Sequence, residues 1–162
     1  MLLLKYKLGE GGYFVHAETL YYNVPMNDCI FCKVIKGELP SYKVYEDELF
    51  IGILDIFPVS KGHALVIPKK HYDWVYDVPE FGTYWEVARK IMRAVEKAMS
   101  PNWTQFFTHG AVRHAHIHII PRFENIEGST FIPAENSKAQ FSKNEMEEIA
   151  EKIRMEVSSI KY

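Results

Sequence analysis

The sequence has 162 residues, 48% of them hydrophobic and 25% charged, which is typical of one soluble globular domain with or without short extensions. Its 19 basic and 21 acidic side chains give a net charge of −2, which argues against a nucleic-acid-binding domain held mainly by phosphate contacts. No apolar stretch is long enough to span a membrane, and the apolar start of the chain is too short for a signal peptide. We therefore expect a cytoplasmic protein with neither a nucleic-acid partner nor a membrane partner.

The chain divides into three regions by composition. Residues 1–25 are rich in tyrosine and glycine, and we interpret them as an N-terminal extension that contains a hairpin turn at residues 9–12. Residues 26–127 hold all the motifs that indicate chemistry and form the predicted domain. Residues 128–162 form a C-terminal tail with a helix.

The predicted elements of the first half are a strand pair at 42–45 and 48–55, a third strand at 63–68, and a long helix at 79–99. Pro79 suits the first helical position, and Ser100-Pro101 ends the helix. A broad apolar arc on this helix exceeds what one small sheet needs to cover, which motivates a homodimer. The arc consists of Tyr84, Trp85, Ala88, Ile91, Met92 and Val95.

Two further strands are predicted at 103–108 and 114–120, joined by a very short turn around His109-Gly110. A last helix begins at Ser142, where Glu145 three residues on completes a capping box, and it runs to about residue 158. The sequence therefore predicts an α+β fold, a small antiparallel β-sheet carrying one long helix.

Three of the seven histidines alternate with apolar residues in one segment, at His114, His116 and His118. Side chains on a strand alternate between faces, so we predict that the three imidazoles share one face. Repeated polar rings against one wall are hard to explain by stability alone, which favours a functional interpretation. Neighbouring imidazoles would lie about 6.6 Å apart along the strand, too far for one zinc ion to be held easily by all three. We expect one end histidine to bind metal and the other two to do chemistry.

Cys29 and Cys32 have the spacing at which two thiolates bind one tetrahedral zinc ion. The same spacing occurs in redox pairs, but a redox function needs a thioredoxin-like βαβ setting that the predicted elements lack. Two free, partly buried thiols are the remaining alternative.

The segment from His114 to Arg122 resembles the signature of the histidine triad family of nucleotide hydrolases and transferases. The resemblance extends in the family's order from about Cys29 to Arg122, and it is strongest to the Hint-like branch, whose members are often homodimers. The other matching segments are Cys29-Ile-Phe-Cys-Lys-Val-Ile-Lys-Gly-Glu-Leu-Pro-Ser, Tyr45-Glu-Asp, Leu54-Asp-Ile, Pro58-Val-Ser-Lys-Gly-His and Leu65-Val-Ile-Pro-Lys-Lys-His.

The resemblance implies a role for each site residue. His116 would be the nucleophile that attacks the α-phosphorus and forms a nucleotidyl-imidazole intermediate. His118 would contact the phosphate and could pass a proton to the leaving group, with His63 supporting the pair from a neighbouring strand. Asp55 would bind the ribose hydroxyls. An apolar slot for the purine base would comprise Ile30, Phe31, Val34, Ile53 and Ile56, although Val34 and Ile53 are equally well explained as ordinary core.

In zinc-bearing relatives, the ligands that complete the cysteine pair correspond to His71 and His114. The resemblance therefore implies a closed, structural zinc site formed by Cys29, Cys32, His71 and His114. Zinc there would fix the end of the strand beside the nucleophile without entering the reaction.

The chain departs from the family pattern just before the triad. Relatives have an Asn-containing, Gly-rich loop that ends in Gly-Gln and helps to hold the phosphate, whereas here the connection is only Thr108-His-Gly-Ala-Val-Arg. Thr108, His109 and the Gly110 amide are the groups that could bind the phosphate in its place.

We predict a nucleotide hydrolase or nucleotidyl transferase. Its substrate would be a purine nucleoside 5′-phosphoramidate, an aminoacyl-adenylate or a dinucleoside polyphosphate, attacked at the α-phosphate. The alternative is a purine-nucleotide-binding or interaction module with weak or no catalysis, which the short connection favours and the complete triad opposes. A hydrolase that uses the triad as catalytic metal ligands is disfavoured by the strand spacing.

Overall fold

The computed structural model describes residues 29–123 and 139–160. The predicted N-terminal extension, its hairpin and the proposed region boundaries near residues 26 and 128 lie outside these residues. The elements are helix α1 (Ile30–Ile35), strands β1 (Lys43–Glu46), β2 (Phe50–Leu54) and β3 (Ala64–Pro68), a short 3₁₀ helix (Val75–Asp77), helix α2 (Phe81–Met99), strands β4 (Trp103–Phe107) and β5 (Ile117–Arg122), and helix α3 (Lys143–Ser159).

The five strands form one antiparallel sheet in the order β1-β2-β3-β5-β4. Strand β5 lies between β3 and β4, so His118 is paired with Leu65 on one side and Phe107 on the other. This register places the last histidine of the triad inside the sheet, where neighbouring strands fix its position. The predicted α+β class is confirmed.

Both faces of the sheet are covered, because alternate residues of β2 and β3 pack on opposite sides. The face covered by helices α2 and α3 includes Phe50, Leu54, Ala64 and Val66. The other face packs with Cys29 and Phe31 beside helix α1, and it includes Ile51, Ile53, Leu65 and Ile67. The second face is the one on which the histidines and cysteines gather.

Helix α2 crosses close to the sheet at Gly52. A Cβ atom at this position would lie 2.6 Å from Cδ1 of Ile91, so a larger residue would displace the Ile91 side chain from its packed position. The helix begins at Phe81, two residues after the predicted start, because its first backbone bond runs from the Tyr84 N–H to the Glu80 carbonyl. It ends as predicted before Ser100, which takes a left-handed conformation with φ 52°.

Helix α3 carries the predicted capping box, in which Ser142 and Glu145 satisfy each other's backbone N–H groups. It packs against α2 and covers much of the apolar arc that motivated a homodimer. The fully buried members of that arc are Tyr84, Ala88, Ile91 and Val95. Trp85 and Met92 are partly buried, so most of the arc is covered within the chain and the excess of apolar surface that motivated a homodimer is reduced. None of the helices in the described ranges has the length and apolarity needed to cross a membrane.

Candidate active site and metal site

The triad segment is only partly a strand. Strand β5 begins at Ile117, so the prediction that His114 and His116 lie on it was wrong. The preceding segment pairs with a loop instead, since the Ala115 N–H donates to the Tyr72 carbonyl at 2.6 Å. The predicted alternation is nevertheless present: Ala115 and Ile117 enter the core under α2. The rings of His114 and His116 face the opposite way and both contact Phe31, at centroid distances of 5.9 and 5.1 Å.

The two cysteines and two of the histidines meet beside the start of α1. Sγ of Cys29 lies 3.3 Å from Nδ1 of His114, and Sγ of Cys32 lies 3.3 Å from Nδ1 of His71 and 3.5 Å from Nδ1 of His114. One ligand atom from each of the four residues lies within 4.8 Å of the others. Zinc bonds of about 2.0–2.3 Å in a tetrahedron put sulfur and nitrogen ligands about 3.5 Å apart. The donor set and its spacing fit zinc.

The outer nitrogens of both histidines are held by neighbouring groups. Nε2–H of His114 donates to the Pro68 carbonyl at 2.8 Å, which leaves Nδ1 with a bare lone pair facing the thiols. Nε2 of His71 lies 3.3 Å from Asp73, whose other oxygen accepts from Arg113 at 2.9 Å. These contacts orient the rings as a metal site requires.

Protonation at this cluster follows from burial. Burial lowers the pKa of His114 to about 4, so its ring is neutral at physiological pH, as a ligand must be. Burial, and then the hydrogen bond with the Cys29 thiol, raise the pKa of Cys32 to about 11. Binding of a metal at neutral pH must therefore release the Cys32 proton.

A chain of hydrogen bonds fixes the proton positions of His63 and His118. The Val59 N–H donates to Nδ1 of His63 at 3.1 Å, so the proton of the neutral ring is on Nε2. That Nε2–H donates to Nδ1 of His118 at 2.9 Å, so the proton of His118 must in turn be on its own Nε2. Nε2 of His118 is buried and has no hydrogen-bond partner among the described residues.

His116 has the opposite tautomer. Its Nδ1–H donates to the His114 carbonyl at 2.7 Å, so Nε2 carries a bare lone pair. Burial lowers its pKa, which keeps the ring neutral and nucleophilic at physiological pH. The rings of His116 and His118 are 4.9 Å apart, so the site combines a lone pair and an N–H donor on neighbouring imidazoles.

Asp55 lies beside the hydrogen bond between the two histidines. Its Oδ2 is 3.6 Å from Nε2 of His63 and 3.8 Å from Nδ1 of His118, while Oδ1 accepts the Phe57 N–H at 2.8 Å. Burial lowers the pKa of His63 to about 4, and the Asp55 charge opposes this change. Burial and the neighbouring rings, His116 first, lower the pKa of His118 to about 2.

The short connection places another histidine over the triad. The His109 ring stacks on His118 at 4.9 Å with an interplanar angle of 20°, and it meets His116 edge-on at 5.3 Å. A ring nitrogen from each of the three residues lies within 4.8 Å of the others. The rings of His116 and His118 are closer than the strand spacing predicted, so distance does not exclude a metal held by His109, His116 and His118. His114 is not part of this group, because its Nδ1 faces the cysteines, and the prediction that one zinc ion is not shared by His114, His116 and His118 is not contradicted.

The residues of the predicted base slot differ in how far they are exposed to solvent. Ile53 is buried and Val34, on α1, is partly buried in the same apolar cluster as Phe31, so for these two residues slot and ordinary core both stay predictions. Phe31 is also buried, and its ring packs against the His116 ring. Ile30 and Ile56 are 43% and 55% exposed, which leaves them accessible to a ligand.

Sequence reasoning missed the residues that support the short connection. Gly110 packs against Trp74, where a Cβ atom would lie 2.3 Å from the indole ring, and the Arg113 guanidinium lies 4.9 Å over the same ring. No local pattern signals a contact between residues about 40 positions apart. The backbone N–H of Val59 was likewise undetectable, because any residue except proline supplies it.

Comparison with known proteins gives one family match and several relatives. The model of the HIT domain matches residues 36–125. An adenosine 5′-monophosphoramidase of Saccharomyces cerevisiae is 37% identical over 106 residues, which cover 62% of this chain and 66% of the relative. An adenylylsulfatase of Arabidopsis thaliana is 42% identical over 106 residues, which cover 60% of this chain and 54% of the relative.

Solved structures show the same architecture. A hypothetical histidine triad nucleotide-binding protein of Sulfolobus tokodaii superimposes with a TM-score of 0.69 at 34% identity, covering 81% of this chain and 93% of its own. A zinc-bound histidine triad family protein of Mycobacterium smegmatis has a TM-score of 0.64 at 30% identity, covering 82% of this chain and 95% of its own.

Proposed function

The chain belongs to the histidine triad family of hydrolases, and on that premise we propose that it attacks purine nucleoside 5′-conjugates at the α-phosphate. The conjugate is a 5′-phosphoramidate, an aminoacyl-adenylate or a dinucleoside polyphosphate. One observation carries the proposal: the bare Nε2 of His116 lies beside the Nε2–H of His118, which has no partner within residues 29–123 and 139–160. The named activities of the yeast and plant relatives support it.

The lone pair of His116 would act first. It attacks the α-phosphorus, and the bond from phosphorus to the leaving group breaks with its electron pair on the leaving atom. In a phosphoramidate this atom is nitrogen, which takes up a proton and departs as an amine. A water oxygen then attacks the same phosphorus, the bond to His116 breaks, and the nucleoside monophosphate and a proton are released.

The proton for the leaving group would come from His118 and its partners. In the free protein the ring is neutral, since its pKa is lowered to about 2. A bound phosphoryl anion beside Nε2 opposes that effect, and the Asp55 carboxylate already lies 3.8 Å from Nδ1. As the anion binds, His118 would therefore take up a second proton from solvent on Nδ1 beside Asp55, in exchange for its bond with His63, and its Nε2–H would give a proton to the leaving nitrogen.

The accessible side chains near the triad indicate where the base and the ribose of the nucleotide would bind. Ile30 and Ile56 would bind the base together with the edge of Phe31, because an apolar ring needs an accessible apolar surface. Asp55 retains lone pairs on both oxygens for the ribose hydroxyls.

Zinc is the proposed structural ion, and Cys29, Cys32, His71 and His114 would hold it. Bound there, it supplies rigidity rather than Lewis-acid chemistry, since four protein ligands close its coordination. His114 links this site to the nucleophile directly, because its carbonyl holds the His116 ring. The zinc-bound relative from Mycobacterium smegmatis supports the assignment.

The test is direct detection of the intermediate. Wild-type protein is mixed with adenosine 5′-monophosphoramidate, quenched within the first turnover and digested for mass spectrometry. We expect release of AMP and an adenylyl group on the peptide that contains His116. If the protein binds AMP but turns over none of the three conjugate classes, the function is that of a binding module instead.

A homodimer and a cytoplasmic location are also proposed, the former because the Hint-like branch often forms dimers. Sedimentation at micromolar concentration tests the dimer. A monomer at these concentrations would contradict it.

A further inference from the structure

We propose that His109 is a catalytic residue whose Nε2–H donates to a non-bridging oxygen of the phosphoryl group during transfer. This inference rests on the proposed function and assigns the donor that the short connection supplies in place of a longer glycine-rich loop. The juxtaposition that carries it is a third imidazole held over His116 and His118.

The backbone fixes the tautomer of His109. The Ala111 N–H donates to Nδ1 of His109 at 3.1 Å, and an N–H group can only donate, so Nδ1 must be bare. Burial lowers the pKa of His109, which leaves the ring neutral. In the neutral ring the proton is therefore on Nε2, as it is in His63 and for the same reason.

The same reasoning gives the nitrogen that each ring offers to a substrate. Nδ1 is engaged by Ala111 in His109, by the His114 carbonyl in His116 and by His63 in His118. What remains is two N–H donors, on His109 and His118, and one lone pair, on His116. Two donors beside a nucleophile match an electrophilic phosphorus with negatively charged oxygens.

A metal would require a different arrangement. Three histidine ligands need three bare lone pairs, but two of the three Nε2 atoms carry protons. Moving the His118 proton to Nδ1 would break the chain from Val59 through His63, and moving the His109 proton would break its bond with Ala111. The tautomers therefore favour an anionic phosphoryl group over a cation at this cluster.

Position also distinguishes His109 from its neighbours. The His109 ring is covered on the side that stacks on His118, but the residue as a whole stays accessible to solvent, whereas His116 and His118 are 2% and 7% exposed. An incoming phosphoryl group would meet His109 first. The hydrogen bond from its Nε2–H to a phosphoryl oxygen would then strengthen as negative charge develops on that oxygen.

The test uses adenosine 5′-phosphoramidate and the two diastereomers in which sulfur replaces one non-bridging oxygen. Sulfur is a poor acceptor, so the diastereomer with sulfur at the His109 contact reacts slowly with wild-type protein. His109→Ala is expected to lower the single-turnover rate on the oxygen substrate by about tenfold to 100-fold. The same change should affect that diastereomer far less, so the rate ratio between the two diastereomers collapses.

Two matched variants separate donation from stacking. His109→Phe keeps a ring that can stack on His118 but has no N–H, and it is expected to behave like His109→Ala. His109→Asn keeps a donor without the ring and should recover part of the rate and of the diastereomer ratio. Recovery by phenylalanine, or a ratio that stays unchanged in all three variants, would overturn the inference.

The remaining outcomes separate this inference from the proposed function. Normal turnover by wild-type protein with an unchanged ratio in His109→Ala defeats the role of His109 alone. A second zinc equivalent per chain that disappears in His109→Ala would show a metal site and overturn it as well. No turnover by wild-type protein would overturn the proposed function and this inference together.

Discussion

The two histidine clusters use the same side chain for opposite purposes. At the cluster of Cys29, Cys32, His71 and His114, the nitrogens that face the centre are Nδ1 atoms, and in His114 a backbone carbonyl holds the proton on the outer Nε2. At the triad, backbone N–H groups accomplish the reverse for His63 and His109, because they occupy Nδ1 and leave the proton on Nε2. One cluster offers lone pairs to a cation, and the other offers mostly donors to an anion.

The difference shows that the backbone selects the chemistry of a neutral imidazole. A carbonyl beside one nitrogen makes the other a ligand or nucleophile, whereas an N–H beside it makes the other a donor. His114 and His116 lie two residues apart, and each ring donates to a backbone carbonyl. The lone pair of His114 faces two thiols, whereas that of His116 is left free beside the rings of His109 and His118. Their roles differ because their neighbours differ.

The largest expected effect follows from replacing His116, the proposed nucleophile of the triad cluster. His116→Ala removes the one lone pair at the triad, so hydrolysis of adenosine 5′-phosphoramidate should fall by at least about 10⁴-fold. Affinity for AMP, measured by calorimetry, should change by less than about tenfold, or about 1.4 kcal/mol, because base and ribose contacts remain. A variant that retains substantial turnover would exclude His116 as the nucleophile.

Much of this arrangement could be predicted from the sequence, because it depends on periodicity and short motifs. The alternation at 114–118, the capping box at Ser142 and the spacing of Cys29 and Cys32 are local patterns with a direct physical meaning. Each therefore survived in the structure, including the sharing of one face by His114 and His116.

The rest depends on contacts that no local pattern encodes. The true start of β5 at Ile117 reflects pairing of Ala115 with the Tyr72 carbonyl, 43 residues earlier. The tautomers depend on which backbone group lies beside each ring, as for Val59 and His63. The apolar arc of α2 suggested a second subunit because the packing of α3 on it was invisible in the sequence.

The second prediction tests zinc binding by the cluster of Cys29, Cys32, His71 and His114. Purified protein should contain about one zinc equivalent per chain, and Cys32→Ser should lower both the zinc content and the melting temperature. A structural zinc site contributes several kcal/mol, and each kcal/mol moves Tm by about 2–4 °C, so a decrease on the order of 10 °C is expected. His109→Ala is the matched control and should keep the full zinc content. Metal-free protein of unchanged Tm would contradict the assignment.

The third prediction tests His118 as a proton donor by varying the leaving group. His118→Ala should slow release of an amine by about 100-fold, because the amine needs a proton as it departs. Release of sulfate from adenylyl sulfate should slow by less than about tenfold, since that anion needs none. Stopped-flow or discontinuous assays with both substrates on one protein preparation measure the ratio. Equal losses would assign His118 to binding alone.

The smallest expected effect concerns the pH dependence of stability. It depends on the difference between the pKa of His63 in the folded protein and in the unfolded chain. Burial lowers the pKa of His63 from 6.5 to about 4, so between these values the unfolded chain binds a proton at His63 that the folded chain does not. The stability contributed by neutral His63 is therefore fully present above about pH 6.5 and is lost as the pH falls towards about 4. The loss is at most about 3–4 kcal/mol, since each pKa unit corresponds to about 1.4 kcal/mol.

His63→Gln isolates this contribution, because glutamine does not titrate while His114 and His118 remain in both proteins. Urea unfolding at about pH 7 and about pH 5 should show wild-type protein losing about 2 kcal/mol more than the variant. The difference between the two proteins, rather than either profile, reports on His63, since zinc release at low pH affects both. Parallel profiles would mean that the pKa of His63 is the same in the folded and unfolded protein. The folded ring would then become protonated on both nitrogens at about pH 5, and the Val59 N–H could not be bonded to a bare Nδ1 there.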